Sequence, residues 1–300
     1  MNIENIVIAI KMSVLQYDAY RAETDLETAL EKFTAMGVDG QKIIDSHYRQ
    51  RESWEKVLDT LGNKFELAEL VMGDNIRGIL PNSLVIAIGG DNYLQLVSHF
   101  IGNQSLIGIN SDPENSDGAL THFTAESFID FVPKLESGKF NIEEWTRLQA
   151  TINGEKVPTL ATSEIYYGAY KSTDMSRYNL SIWPEDAKFL EEEQKSSGLI
   201  FATDAGITGW YKGAARYLDP SENYSDYPKQ LKKVIAVVRE PFGKYNLNSF
   251  ALFNSCRIDL TWLAHGKGLI SIDARDEYEI TRGDTVEIRI SNTPLRVVTP

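Results

Sequence analysis

Residues 84–94, Leu-Val-Ile-Ala-Ile-Gly-Gly-Asp-Asn-Tyr-Leu, constrain the fold of this chain more than any other stretch. Leu84 to Ile88 are uninterrupted apolar residues rich in β-branched types, with Pro81 and Asn82 just before them. Such a run suits a short strand buried on both faces, as in a parallel sheet. Gly89 and Gly90 end it, and glycine permits positive φ and close approach of backbone N–H groups to an anion. Asp91 follows, and Leu94, Val97 and Ile101 place an apolar stripe on an expected helix. Strand, glycine turn, acid and helix together suit a phosphate and a group that the acid orients. Taken alone, Gly-Gly-Asp fits an ordinary strand-to-helix turn with an exposed acid equally well.

The rest of the first 110 residues repeats this alternation. Ile6 to Ile10 is a second apolar strand of the same kind. Thr24 and Glu27 have capping-box spacing before Leu26, Ala29, Leu30 and Phe33, which recur at helical intervals. Trp54, Val57, Leu58 and Leu61 lie on one face of a further helix, with Gly62 expected as its C-cap. Phe65 to Val71 and Leu106 to Asn110 read as strands, and Thr124 to Leu135 as a short helix interrupted by Pro133. Strands alternating with helices predict an α/β layer with a parallel sheet.

Beyond about residue 140 the pattern becomes β-rich. Trp145 to Ile152, Val157 to Tyr170 and Ser176 to Trp183 read as extended segments, the first two joined by the hairpin signal Asn153-Gly154. Further strands are expected at Leu199 to Ala202, Val234 to Val238, Ala251 to Leu263, Leu269 to Ile272 and Val286 to Ile290. One helix is expected around Thr208 to Leu218, and the acidic run Glu191-Glu192-Glu193 as a solvated loop or helix end. The expected architecture is an α/β domain with a parallel sheet over 1–138 and a β-rich, sandwich-like domain over 139–290. The tail, about 291–300, is expected to return to the first domain.

Several function classes drop out on composition. A formal charge of −13 with no compensating Lys/Arg cluster argues against nucleic acid and anionic membrane surfaces as partners. A lone anionic nucleotide needs only backbone amides and a few lysines. One cysteine, Cys256, leaves no internal disulfide framework and fits a reducing compartment. No apolar run approaches the roughly twenty residues of a spanning helix, and no targeting peptide is visible. A cytoplasmic protein, or a mature one already trimmed, is expected. His47, His99, His122 and His265 have no metal-ligand spacing, and Cys256 in its apolar run reads as a buried small hydrophobe.

Later segments give the Gly-Gly-Asp turn its context. Gly89-Gly90-Asp91 is followed by Ile107-Gly108-Ile109-Asn110-Ser111-Asp112-Pro113 and Gly118, then by Ser163-Glu164 and Lys195-Ser196-Ser197-Gly198-Leu199. Thr203-Asp204-Ala205-Gly206-Ile207-Thr208-Gly209-Trp210, Ile272-Asp273 and Pro294-Leu295-Arg296-Val297-Val298 complete the order. This ordered set resembles the NAD kinase family, and most of all the branch with the mitochondrial enzyme of animals. Ala9-Ile10-Lys11, with Tyr17 and Arg21, is similar to that branch too.

The resemblance implies phosphoryl transfer from ATP or another donor to the adenosine ribose 2′-hydroxyl of NAD, giving NADP, with Mg²⁺. It implies a dinucleotide in a cleft between two domains and a homo-oligomer, a dimer or tetramer. Phosphoryl transfer needs positioning and charge neutralisation more than covalent chemistry. Asp91 matches the family's catalytic acid, and Gly89 and Gly90 would offer amides near the transferred phosphate. The implied nucleotide-binding positions continue through Asn92, Asn110, Ser163, Glu164, Thr203, Asp204, Gly206, Thr208 and Trp210. No direct protein ligand pattern for a metal is expected. Asp112 and Asp117 fit either the same cleft or mere decoration of the loop after the third parallel strand.

The departures from the family fall in the site. Gly-Gly-Asp-Gly-Thr reads Gly-Gly-Asp-Asn-Tyr here, so Asn92 replaces a glycine and Tyr93 a small hydroxyl residue. Asn92 is expected to keep a left-handed backbone and Tyr93 to narrow the space for a phosphate. Ser163 replaces asparagine, Ala205 and Ile207 replace threonine and serine, and Asp273-Ala274 stands for Asp-Gly. These changes leave two readings open: a kinase with weakened or altered activity, or a non-catalytic NAD/NADP-binding homologue. A kinase acting on a lipid shares only the glycine turn.

Overall fold

The computed structural model describes residues 5–65, 67–76, 79, 82–183, 189–216, 232–253 and 256–300. Glu66, Pro81, Tyr217, Leu218, Asn254 and Ser255, which fall in or beside expected elements, lie outside these residues. The chain divides into two compact units, residues 1–143 with 296–300, and residues 144–295.

In the first unit, β1 (Asn5–Ile10) leads into α1 (Val14–Ala22), α2 (Leu26–Ala35) and α3 (Gly40–Gly62). Then come β2 (Leu67–Met72), β3 (Ser83–Gly89), α4 (Asp91–Ser98), β4 (Ser105–Asn110), β5 (Phe123–Thr124), α5 (Ala125–Glu136) and β6 (Asn141–Trp145). The sheet order is β2-β1-β3-β4, continued by the C-terminal strand β19 (Leu295–Thr299) and then β6, with β5 on β4. The β2-β1-β3-β4 pairings and those of β4 with β5 and β19 are parallel. Every residue of β3 and β4 is buried, as the apolar runs Leu84 to Ile88 and Leu106 to Ile109 within them require. Ile6, Ile8, Ile86 and Ile107 share a core with Val57 and Leu61 of α3 and Phe128 and Val132 of α5. Each such side chain contributes about 1.5–3 kcal/mol when fully buried.

Several local expectations need correction. Asp25, not Thr24, caps α2, its side chain accepting the Thr28 N–H at 2.7 Å. Asp is the better N-cap, and it stands one residue before the apolar stripe. Gly62 is the last residue of α3, and the cap, Asn63, is right-handed at φ −81°. Pro133 lies inside α5 without ending it, at the cost of one backbone hydrogen bond to the preceding turn. α1 has no counterpart among the expected helices; Ser13 and Gln16 form its capping box.

The second unit contains two six-stranded antiparallel sheets. Its strands are β7 (Leu148–Ile152), β8 (Glu155–Lys156), β9 (Glu164–Ala169), β10 (Ser176–Trp183), β11 (Leu190–Ser196) and β12 (Leu199–Ala202). After α6 (Trp210–Ala215) follow β13 (Lys233–Val238), β14 (Ser249–Phe253), β15 (Arg257–Trp262), β16 (Gly268–Ile272), β17 (Asp276–Ile280) and β18 (Thr285–Ile290). The orders are β11-β10-β15-β18-β7-β8 and β14-β13-β12-β9-β16-β17. Ile165, Tyr167 and Phe201 of one sheet share a core with Leu180, Leu260 and Ile288 of the other. Glu191 to Glu193 lie within β11, not in a loop or helix end, because they pair with β10 along its exposed edge.

Candidate functional site

The β3–α4 turn carries the first group of candidate residues. Neither Gly89 nor Gly90 has positive φ; Gly90 is the N-cap of α4 at φ −117°. Their lack of a side chain serves close packing instead. A Cβ on Gly89 would stand 2.8 Å from the Tyr93 Cβ, and one on Gly90 3.1 Å from the Ser116 Oγ. Asn92 is in the first turn of α4 with ordinary helical backbone, so the expected left-handed conformation is absent. Its side chain is exposed. Tyr93 is buried, and its hydroxyl donates to the Gly73 carbonyl at 2.8 Å. The ring thus belongs to the packing of the first unit instead of lying open on the helix surface.

Asp91 is the first residue of α4, where the helix N-terminus favours a carboxylate. Both its oxygens accept backbone N–H groups, Oδ2 from Ala119 at 2.9 Å and Oδ1 from Leu120 at 2.8 Å. Ala119 and Leu120 carried no sequence signal, because backbone amides have no residue-type signature; only Gly118, at φ 66°, marked the turn. Asn110, at the end of β4, closes that loop from the other side. It donates to the Ser116 carbonyl at 2.9 Å and accepts the Asp112 N–H at 3.1 Å.

Asp112 is engaged within its own unit. Its carboxylate accepts from Arg49 Nε at 2.8 Å, Ser46 Oγ at 2.6 Å and Asn115 Nδ2 at 2.9 Å. Burial alone would raise this carboxyl, but these hydrogen bonds outweigh it and hold the group below its ordinary range. Asp117 is exposed in the same loop.

The second group is built on β9 and the segment after β12. Asp273 organises it. Its Oδ1 accepts the N–H groups of Ser163 and Glu164 at 2.8 and 2.9 Å, and its Oδ2 accepts that of Thr162 at 2.8 Å. The buried Arg147 supplies nearby positive charge; burial lowers its own pKa to about 10, against the pull of Asp273. Glu164 is buried, and burial first, then the charge of Asp273, pushes its carboxyl from near 4.5 up to about 8. Asp273 and Ala274 are both left-handed, at φ 48° and 54°, in the tight β16–β17 turn closed by the Arg275 N–H to Ile272 carbonyl bond. That geometry explains why Asp-Gly suits these positions.

Thr203 ties the next segment to β9. Its N–H donates to the Ser163 carbonyl at 2.8 Å, and its Oγ1 donates to the Thr162 carbonyl at 2.6 Å. Gly206 passes so close to the Ser163 carbonyl that any Cβ would overlap it. Asp204 is buried with Lys233, Nζ to Oδ1 3.6 Å. Ala205 and Ile207 are buried, Ile207 against Tyr166 and Tyr211, so apolar packing occupies the two positions where the family has hydroxyls. Thr208 is half-buried and Trp210 stacks on Tyr166, ring centroids 5.2 Å apart. Tyr166 and Arg239, absent from the expected site, join this cluster through the fold. Burial holds the Tyr166 phenol above its ordinary value, while the Arg239 charge lowers it.

Among the described residues no cluster of three or more His, Cys, Asp or Glu could hold a metal ion. No described helix is long and apolar enough to cross a membrane. Cys256 is buried and forms no disulfide.

No protein-family model matches the chain. Individual proteins do. The chain is 26% identical over 241 residues to the probable NADH kinase of Oryza sativa subsp. japonica, covering 72% of this chain and 71% of that one. It is 26% identical over 249 residues to the NAD kinase of Thermoplasma volcanium, covering 82% of each. It is also 23% identical over 254 residues to the mitochondrial NAD kinase 2 of Homo sapiens, covering 68% of this chain and 56% of that one. Its fold is similar to an NAD kinase from Archaeoglobus fulgidus solved with ATP, with TM-score 0.62, 19% identity and coverage of 81% and 88%. Yeast NADH kinase complexed with NADH gives TM-score 0.65 at 14% identity, with coverage of 100% and 84%. These relatives support assignment of the chain to the NAD kinase family, and the solved structures show that it shares their fold.

Proposed function

We propose that this protein phosphorylates the adenosine ribose 2′-hydroxyl of NAD or NADH, with Mg-ATP or another nucleoside triphosphate as donor. The observation that carries the reading is Asp91. It stands after the third parallel strand at the head of α4, in a chain whose relatives are named NAD and NADH kinases. The Ala119 and Leu120 amides hold its carboxylate in one orientation. A carboxylate oxygen has lone pairs beyond the one each amide uses, so Asp91 can still accept a proton. In the proposed step the 2′-hydroxyl oxygen bonds to the terminal phosphorus of the donor and its proton passes to Asp91. The bond from that phosphorus to the bridging oxygen breaks, and the nucleoside diphosphate leaves.

Gly89, Gly90 and Asn92 would flank the transferred phosphate, with Asn110 shaping the loop that positions Asp91. Ser163, Glu164, Thr203, Asp204, Gly206, Thr208 and Trp210 would take the dinucleotide. The divalent cation enters with the nucleotide substrate, because Mg²⁺ binds largely through phosphate oxygens and water and needs no protein cage. A cytoplasmic location and a homodimer or homotetramer belong to the same reading. The reducing compartment that a lone thiol suits and the family resemblance support them.

The test is NADP or NADPH formation from NAD or NADH with Mg-ATP. Asp91→Asn is expected to lower turnover about 100-fold or more with little change in dinucleotide affinity. No product from the wild-type protein with ATP or another nucleoside triphosphate or polyphosphate would overturn the kinase reading. A second reading, dinucleotide binding without turnover, is favoured by Asn92 at the family's glycine and by the apolar Ala205 and Ile207. Calorimetric binding of NAD or NADP with no product would establish it.

A further inference from the structure

We propose that a cavity in the second unit binds a small organic molecule bearing a phosphate or carboxylate group. The cavity, about 660 Å³, lies where β7, β13 and β15 begin and β18 ends. That volume is in the range of small-molecule sites. None of its described lining residues is among the candidate phosphate or dinucleotide positions. The inference therefore goes beyond the kinase reading and does not depend on it.

Thr146 points to a ligand. It lines the cavity and is 4% exposed, yet its Oγ1 has no hydrogen-bond partner. Leaving a buried hydroxyl unpaired costs about 1–3 kcal/mol, which an acceptor in the cavity would recover. The walls beside Thr146 are fixed in place. Arg147, the next residue, donates from Nε to the Thr293 carbonyl at 2.9 Å, and its carbonyl accepts the Ser291 N–H at 2.8 Å. The Ser291 Oγ accepts the Thr293 N–H at 3.1 Å, tightening the loop after β18.

Cations outnumber carboxylates on these walls, in a chain whose formal charge is −13. Among the described lining residues, Lys232 and Arg289 stand against a single carboxylate, Glu144. Glu287 pairs with Arg289 through Nε and Nη2, at 2.7 and 3.1 Å, which leaves Nη1 as a donor. No carboxylate among the described residues lies within ion-pair distance of Lys232. Lysine and arginine only donate hydrogen bonds, and the unpaired hydroxyl donates to any acceptor it meets. A ligand that satisfies these groups is acceptor-rich and negative, as a phosphate or carboxylate is. Ile290, Pro294 and Cys256 give the cavity an apolar side, which suits a carbon body over a bare ion.

Cys256 supplies the readout, because it lines the cavity and the chain has no other cysteine. Labelling of its thiol by methyl methanethiosulfonate is followed on the intact protein, without nucleotides. The probes are 3-phosphoglycerate, which carries both groups, inorganic phosphate and malate. At about 10 mM, 3-phosphoglycerate is expected to slow labelling about 10-fold, as a Kd near 1 mM gives. Protection by inorganic phosphate or by malate alone identifies which group is held. Lys232→Gln should reduce the protection to about 2-fold, since losing a charged hydrogen bond raises Kd about 10-fold. Thr146→Val should also weaken it, while the urea midpoint without probe stays the same or rises, because the hydroxyl removed had no partner. Protection by none of the probes, or protection unchanged in Lys232→Gln, overturns the inference. So does a lower urea midpoint for Thr146→Val, which would mean that the hydroxyl is already bonded. Labelling no faster than global unfolding would mean that the cavity admits no small molecule, and overturns it as well.

Discussion

The Asp273 carboxylate accepts the backbone N–H of Glu164 at 2.9 Å while its negative charge bears on the Glu164 side chain. The same acid therefore fixes β9 in place and resists ionisation of the carboxyl that β9 presents. Attraction to three amides outweighs repulsion of one side chain that can take up a proton.

Stability should depend on pH through Glu164. Its folded pKa, about 8, is above the ordinary value near 4.5. Its contribution is therefore fully present below pH 4.5 and is lost as pH rises towards 8, by about 1.4 kcal/mol per pH unit. Glu164→Gln should unfold at the same denaturant concentration as wild type near pH 4.5 and at a higher one at pH 8.5. Parallel pH curves for the two proteins would show that the Glu164 carboxyl is not held protonated.

Ala274→Gly should stabilise the second unit. Ala274 is exposed and left-handed at φ 54°, where a Cβ costs about 1 kcal/mol that glycine avoids. The measured quantity is the urea midpoint, and an unchanged or lower midpoint would contradict the turn geometry. Because the Asp273 amide bonds depend on the same turn, dinucleotide affinity should be kept.

Gly206→Ala should be costly out of proportion to one methyl group. The new Cβ would overlap the Ser163 carbonyl, which also accepts the Thr203 N–H, so backbone on both sides must move. A loss of about 2–3 kcal/mol is expected from such overpacking, with dinucleotide affinity falling along with it. Full affinity at wild-type stability would place the segment elsewhere.

Tyr93→Phe tests where that ring belongs. Removing the hydroxyl leaves the buried Gly73 carbonyl without this donor, at a cost of about 1–2 kcal/mol. Chemical denaturation should register the loss while the KM for the triphosphate stays put. A raised KM at unchanged stability would return the ring to the phosphate's space.

Much of the architecture was legible in the sequence because it rests on local pattern. Leu84–Ile88 and Ile6–Ile10 announced buried parallel strands, since only strands covered on both faces tolerate such unbroken apolar runs. Asn153-Gly154 announced its hairpin because few other residue pairs accept two left-handed positions, here φ 50° and 87°. The ordered short motifs pointed to the family, which the relatives and the fold support. Asp91 was legible as an acid after a glycine turn. Its restraint by Ala119 and Leu120 was not, because any residue but proline supplies an amide.

The tertiary structure alone decided what long-range contacts decide. Asn92 is helical, although its residue type suggested a left-handed turn, because the start of α4 outweighed that local preference. Tyr93 is buried on the Gly73 carbonyl, a partner 20 residues away. Glu191 to Glu193 became a strand because β10 offered an edge to pair with. Arg239 met Trp210 and Tyr166 only because β9, β12 and β13 are neighbours in one sheet, a register that no local spacing along the chain encodes.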